Sequence, residues 1–428
     1  MLIEFRVKNF RSFKDETVLS LVASQDKSLP GNKRVIPSFG SRSLLHSAVL
    51  YGANASGKTN LFTAIEFFNE FVNLSATRKV DEEINTQPFL FSNEHQNAPS
   101  EFEITFIGTD DVRYQYGLQV NRKRVVREWL IAYPKGFPQT WFEREHSDNE
   151  ATEPEWYFGR KLKGNNQQIA ELTRKEVLFL SNAASLNHNQ IKPVFTWFRH
   201  NLRTINVDEI HPILKDYSAK LSQKDEQSYQ AIRNLLNFAD LGIDAFEIQE
   251  EITREQDLPE DMPAAMKKLF IGSKQINVLM AHLVENQRFL LPLDEESAGT
   301  QRFFALGGPL VNVLEQGQIL FIDELDASLH PLLVRYLVEL FHSPESNPHG
   351  AQLIFNTHDI TLMDTSLFRR DQIWFLEKDR SGCSHLYPLL DFSPRKDEAL
   401  AKGYLKGRYG AIPFLGDPQW GSKDNGKA

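Results

Sequence analysis

Cysteine is nearly absent: Cys383 stands alone in 428 residues. No intrachain disulfide can form, and a metal cluster held by several cysteines is excluded. A reducing cytosol fits such usage. Long apolar runs are missing as well, since no stretch approaches the roughly 20 residues that cross a bilayer. Arg6, Lys8, Arg11, Lys14, Asp15 and Glu16 interrupt the N-terminus before a signal-peptide core could form. The expectation is a soluble, cytoplasmic protein without membrane contact. Positive charge is in deficit, with 48 basic against 57 acidic residues and a net charge of −9. A global electrostatic grip on nucleic acid is therefore not encoded, and any DNA or RNA contact has to come from a local basic surface. Sustained heptads and internal repeats are lacking too, which argues against a long coiled coil or a solenoid.

What is present begins with residues 52–59, Gly-Ala-Asn-Ala-Ser-Gly-Lys-Thr, a complete G-x-x-x-x-G-K-[ST] phosphate loop. A short apolar strand (Ala48, Val49, Leu50, Tyr51) precedes it. A helical pattern with Leu61, Ile65, Phe68 and Val72 on one face follows. Gly52 and Gly57 let backbone approach phosphate oxygens. Successive N–H groups across Asn54, Ala55, Ser56 and Asn60 line an anion nest at a helix N-terminus. Lys58 is placed to reach β- and γ-phosphates, and Thr59 to ligate Mg²⁺. The cofactors expected are ATP and Mg²⁺.

Along the chain, Leu2–Phe10 alternates as a half-buried strand, a second strand is predicted at Glu16–Val22, and residues 25–44 are predicted as loop. Between about 100 and 145 the period becomes two, which predicts an antiparallel meander. Val177–Leu180 is a short apolar run of buried character. Residues 190–288 are read as mainly helical, with examples at Pro193–Asn201, Glu226–Phe238 and Ile276–Leu283, and 251–264 as an acidic solvated loop. Short buried strands are predicted at Ile319–Ile322, Gln352–Phe355 and Gln372–Leu376. Three segments result: an N-terminal lobe (1–189), a helical insertion (190–288) and a C-terminal lobe (289–428).

The strand Ile319–Ile322 ends in Asp323-Glu324. After a phosphate loop, the first carboxylate at such a strand end holds Mg²⁺, and the second orients or deprotonates water. Upstream lies Glu296-Ser297-Ala298-Gly299-Thr300-Gln301-Arg302, leading into a helix. Its Ser and Gly suit either an anion site or an ordinary Ser N-cap. Downstream, Phe355-Asn356-Thr357-His358-Asp359 follows the next strand and brings an imidazole beside the acidic pair. Basic residues at Arg395, Lys396, Lys402, Lys406 and Arg408 read as a solvated terminal helix as readily as a contact to phosphate backbone or to an acidic partner.

In this order the pieces resemble the ABC-type ATPase heads of the SMC/RecF class. Asn9-Phe10-Arg11-Ser12-Phe13 is similar to that class's first strand. The strings Ile322–Pro331, Asn356–Asp359 and Gly403–Pro413 resemble a prokaryotic antiphage-defence branch, which includes RloA/AbiL-like, PARIS-like and overcoming-lysogenization-defect-like ATPases. The resemblance implies an α/β fold: an antiparallel β subdomain plus a mixed, largely parallel core, with a helical insertion and no long coiled coil. It implies that Ser297 and Gly299 are the signature, and that Asp326 and Ser328 lie in the loop after the acidic strand. His358 becomes the switch histidine, and Arg11 a contact to nucleotide phosphates. The family's glutamine that joins the metal shell has no clear counterpart, since Ser181 and Asn182 stand where it was sought. The resemblance further implies a homodimer, or a higher even-numbered oligomer, with ATP sandwiched between heads. It also implies control of a separately encoded nuclease or toxin. A DNA-repair-type ATPase and an ATP-dependent scaffold that sequesters a toxin are the alternatives.

Overall fold

The computed structural model describes residues 1–147, 152–206, 211–239, 242–257, 259, 262–395 and 398–413. Lys396, Glu260, Asp261 and the polar end at Gly421–Ala428 lie outside them. Apolar/polar alternation produces β1 (Leu2–Lys8), with Leu2, Phe5 and Val7 buried, and its antiparallel neighbour β2 (Thr17–Ser20). The stretch expected as loop instead carries a hairpin, β3 (Lys33–Ile36) and β4 (Arg42–Leu45). Its Ile36 and Leu44 join Ile3, Phe39 and Ile107 in a small cluster, while Pro30, Pro37 and Gly40 occupy the turns. Local breakers were legible there, but the distant apolar partners were not.

β5 (Ser47–Gly52) is buried along its length and feeds α1 (Lys58–Leu74), whose Leu61, Ile65, Phe68 and Val72 face the core as the pattern predicts. After α2 (Asn93–Asn97) comes the meander of β6 (Ser100–Ile107), β7 (Arg113–Val120), β8 (Val125–Tyr133), β9 (Gln139–Glu145) and β10 (Glu155–Phe158). With β1 and β2 it makes a seven-stranded antiparallel sheet ordered β10-β9-β8-β7-β6-β1-β2. Next are α3 (Asn166–Glu171), α4 (Phe179–Ser185), α5 (Ile191–Asn201) and β11 (Leu202–Ile205). Phe68 of α1 packs its ring against those of Phe5, Phe102, Tyr116 and Phe198, so the helix behind the phosphate loop is wedged into the antiparallel lobe.

The following segment holds α6 (His211–Lys224), α7 (Glu226–Phe238), β12 (Ile243–Ile252), α8 (Ala264–Phe270), β13 (Lys274–Val284) and β14 (Gln287–Pro292). Helices are present as expected, but Ile276–Leu283, expected as helix, lies within β13 of a three-stranded antiparallel sheet. Ile276, Val278 and Met280 are buried on one face. That is a period of two, which a short apolar run hides when read for helix.

α9 (Ala298–Gln316), β15 (Ile319–Ile322), α10 (Pro331–His342), β16 (Gln352–Asn356), β17 (Ile373–Lys378), β18 (Ser384–Pro388) and α11 (Leu400–Leu405) complete the described chain. The second large sheet has the order β11-β15-β16-β5-β17-β18. All of its pairings are parallel except β17 with β18. Among the described residues no helix is long and apolar enough to cross a membrane.

At the N-terminal end of these strands lies a buried polar net. Ser47 Oγ and His342 Nε2 are 2.8 Å apart, Gln372 Nε2 donates to Ser47 Oγ at 2.7 Å, and Asn32 Nδ2 donates to Gln372 Oε1 at 2.7 Å. Burial pushes His342 down to about 3 and the neighbouring His46 down to about 4. Both rings stay neutral in the folded chain but take up a proton when unfolded, below about pH 6.5. Unfolded chains therefore bind more protons as pH falls. The expected outcome is a urea midpoint flat above pH 7 that declines from pH 6.5 toward 5, with a shallower decline in His46→Gln.

Candidate functional site

The phosphate loop leaves β5 at its C-terminal end, between the flanking parallel strands β16 and β17. Gly57 has φ +110° and Ala55 φ +62°, conformations that turn successive N–H groups inward. The glycines answer to protein as well as to phosphate. A Cβ on Gly52 would lie 2.4 Å from Leu376 O, and one on Gly57 would lie 2.4 Å from Ser384 Oγ. Lys58 Nζ folds back to donate to Gly52 O at 2.8 Å and Ala53 O at 3.2 Å. Burial lowers the Lys58 pKa, while the charges of Asp323, Glu324 and Asp326 act to raise it.

A cleft of about 500 Å³ is lined by Asn54–Asn60 together with Glu324, His358 and Lys378. It joins a larger one, about 710 Å³, that Gly52 lines with Tyr404, Ala411 and Ile412 of the C-terminal segment. Strands β15 and β16 pair in register, Ile322 opposite Phe355, so Asp323 and Asn356 leave the sheet side by side. Asn356 then makes a two-ended bridge. Its Nδ2 donates to Asp323 Oδ1, and its Oδ1 accepts the Glu324 N–H at 2.7 Å. Asp323 is buried, whereas Glu324, held at φ +50°, is exposed to the cleft. The His358 backbone N–H donates to Asp326 Oδ2 at 3.2 Å. Residues from three strand ends thus converge as the motif spacing predicts.

Beside Thr59 and Asp323 a narrow gap is closed by Glu66, Thr204 and Asn206. Asn206 directly follows β11, whose Ile205 O accepts the Asp323 N–H at 3.1 Å. Asn206 thus brings an amide beside Thr59 and Asp323. Ser181 and Asn182 lie in α4, away from this gap: Ser181 Oγ donates to Val72 O at 2.6 Å, and Asn182 Nδ2 to Thr173 Oγ1 at 2.8 Å. Asn206 ends a short strand next to the acidic one, but that neighbourhood exists only once the sheet is assembled. Asn356 and Arg302 likewise sit inside the motifs, and only the folded chain gives them partners. Arg302 Nη2 donates to Glu324 O at 2.7 Å, tying α9 to the acidic turn. Burial lowers its pKa, and the charges of Asp326 and Glu324 oppose that.

Other predicted residues sit apart from the cleft. Ser297 caps α9, its Oγ accepting the Thr300 N–H at 3.1 Å, so the N-cap reading holds. A Cβ on Gly299 would lie 2.8 Å from Ser328 O, placing the start of α9 against the loop after β15 of its own chain. Neither Ser297 nor Gly299 is among the described residues lining the phosphate-loop cleft. Arg11, at φ +49°, bonds to Asn60 Oδ1 (3.3 Å) and Thr63 Oγ1 (3.4 Å) on the first turns of α1. Asn60 Nδ2 donates to Ser12 Oγ at 2.7 Å, so its amide braces the N-terminal segment instead of facing the cleft freely.

The loop fits a phosphate group: its Ser56 Oγ is buried without a hydrogen-bond partner. Thr59 and Asp323 are the residues that would hold Mg²⁺. An antiparallel sheet thus stands beside a largely parallel core that carries these motifs, a P-loop α/β arrangement.

Residues 47–364 match the family described as "AAA domain, putative AbiEii toxin, Type IV TA system". No curated protein matches the chain. Among solved structures, the SMC head bound to the C-winged helix domain of ScpA is 16% identical, with 90% of this chain and 97% of that chain covered and a TM-score of 0.40. The SMC head domain from Thermotoga maritima is 13% identical, with 90% and 98% covered and a TM-score of 0.39. The head with an extended coiled coil from Pyrococcus furiosus, bound to the C-terminal domain of ScpA, is 15% identical, with 92% and 97% covered and a TM-score of 0.41.

Replacing Asn356 with Ala removes both ends of the bridge. Calorimetric titration should show Mg²⁺-dependent nucleotide binding weakened about 10–100-fold, with metal-free nucleotide binding unchanged.

Proposed function

The chain belongs to this AAA-domain family, and we propose that it is an ATP-hydrolysing switch that closes into a dimer around ATP. The observation that carries this reading is the split site. Phosphate loop, Glu324 and His358 share one cleft and Asp323 lines the gap beside Thr59, while Ser297 and Gly299 of the same chain are not among the described residues lining either. A second copy related by a two-fold axis would supply each cleft with the missing signature.

In this reading the loop N–H groups and Lys58 bind the phosphates. Thr59 and Asp323 hold Mg²⁺, with Asn206 and Glu66 beside them. Glu324 accepts a proton from the attacking water, and the exposed imidazole of His358 contacts the γ-phosphate side. Asn356 keeps Asp323 and the Glu324 backbone in fixed relation. Ser297 and the N-terminus of α9 attract the γ-phosphate of the partner's nucleotide. Phosphate loss removes that attraction and opens the dimer. Arg302, which joins α9 to the Glu324 carbonyl, carries the state of one element to the other.

The family description, with its toxin and toxin–antitoxin wording, supports control of a separately encoded effector in abortive infection or antiphage defence.

With Mg²⁺ and ATP, Glu324→Gln is expected to retain ATP and double its mass by light scattering, while Lys58→Ala neither binds nor associates. ATP turnover by Glu324→Gln at the parental rate would remove the assigned base. Ser297→Arg should bind nucleotide normally but stay monomeric, even combined with Glu324→Gln. A dimer in that double variant would show that the signature is not the cross-subunit element.

A further inference from the structure

Between β17 and β18 the chain reverses through Asp379-Arg380-Ser381-Gly382-Cys383. Three donors of different chemistry face one another there. A carboxylate oxygen of Asp379, Sγ of Cys383 and a ring nitrogen of His385 all lie within 4.8 Å of each other. We propose that Asp379, Cys383 and His385 form a site for a borderline-soft divalent cation, zinc by preference, with water as the fourth ligand.

The arrangement is prepared by the turn. Asp379 Oδ1 accepts hydrogen bonds from Ser381 N (2.8 Å), Ser381 Oγ (2.7 Å) and Cys383 N (2.9 Å). This leaves Oδ2 directed at His385 Nε2, 3.0 Å away. The two groups already sit at about the separation that tetrahedral zinc imposes on neighbouring N and O ligands. Cys383 is buried while Asp379 and His385 are exposed, so an ion can enter from solvent and meet a shielded sulfur. Glu377, opposite His385 across the strands, does not compete. Its Oε2 accepts from Tyr387 Oη and from Ala411 N, both at 3.0 Å.

The donor set selects the ion. Thiolate and imidazole suit zinc and its neighbours, whereas Mg²⁺ takes oxygen ligands in octahedral geometry. Binding converts the Cys383 thiol to a thiolate and releases one proton to solvent. Carboxylate plus thiolate then balance the doubly charged cation, with a neutral imidazole.

The site would not be isolated. Ser384, between two of the ligands, is hydrogen-bonded through Oγ to Ser56 O (2.6 Å) and Ser12 Oγ (2.8 Å), and through N to Ser12 O (2.8 Å). An ion holding this turn would therefore stiffen the strand that braces the phosphate loop. The proposal does not depend on the nucleotide reading, and its test uses metal alone.

Chelator-stripped full-length protein is titrated with Co²⁺ in the absence of nucleotide. The expected result is one equivalent bound with a near-ultraviolet thiolate-to-cobalt charge-transfer band, displaced by Zn²⁺ and untouched by millimolar Mg²⁺. Cys383→Ser should lose the band. His385→Ala, which alters an exposed side chain, should weaken Co²⁺ binding by more than about ten-fold with unchanged circular dichroism. Absence of the band in the parent protein, or equal Co²⁺ affinity in the parent and His385→Ala, overturns the assignment.

Discussion

Parallel pairing governs this molecule. β11, β15, β16, β5 and β17 all point the same way, so every loop leaving their C-terminal ends emerges along one edge of one sheet. Chain segments far apart in sequence, beginning near residues 53, 206, 323 and 357, are brought to that edge without any one of them having to reach. A parallel strand cannot be followed by a tight hairpin to its neighbour, so helices must return the chain. Those helices, α1 and α9 among them, then present their N-termini on the same side as the strand ends. The backbone of the phosphate loop and the carboxylates of Asp323 and Glu324 become neighbours as a consequence of topology.

Within that edge, short polar contacts convert proximity into a defined geometry. The Asn356 amide joins the buried carboxylate of Asp323 to the backbone of Glu324, and Arg302 grips the Glu324 carbonyl from the opposite side. Asp323 itself hangs from Ile205 O on the neighbouring strand. The acidic turn is thus held by three different elements, β16, α9 and β11. Ser384 plays a comparable part behind the phosphate loop, joining β18 to Ser56 and Ser12. A loop so braced can keep Ala55 and Gly57 at positive φ without collapsing when its anion leaves.

Legibility in the sequence followed the range of the interactions involved. The phosphate loop could be read because its chemistry lies in eight consecutive residues, 52–59, flanked by a strand and a helix of clear period. Ile319–Ile322 and Gln352–Phe355 could be read because a strand buried on both faces is a short continuous apolar run. Ile276–Leu283 reads as helix, not as the strand β13, because the run is too short for its period to be decisive. The hairpin at β3–β4 was missed because its stability comes from Ile3 and Ile107, distant in the chain. Asn206 escaped notice for the same reason: nothing near residue 206 says which strand will lie next to it.

The sequence alone determined the chemistry available: a phosphate cradle, a lysine, a threonine, paired carboxylates and an imidazole, each at the end of an element whose local pattern was strong enough to form it. Tertiary structure alone decided which of these share a cleft. The sheet order places β16 between β15 and β5, which unites Glu324 and His358 with Lys58 and sets Asp323 beside Thr59, while the N-terminus of α9 is packed against Ser328 outside the cleft. The physical reason is that local propensity acts over one turn or one strand. Strand order is set by the burial of whole apolar faces and the backbone hydrogen bonds between them, which no short window of residues contains.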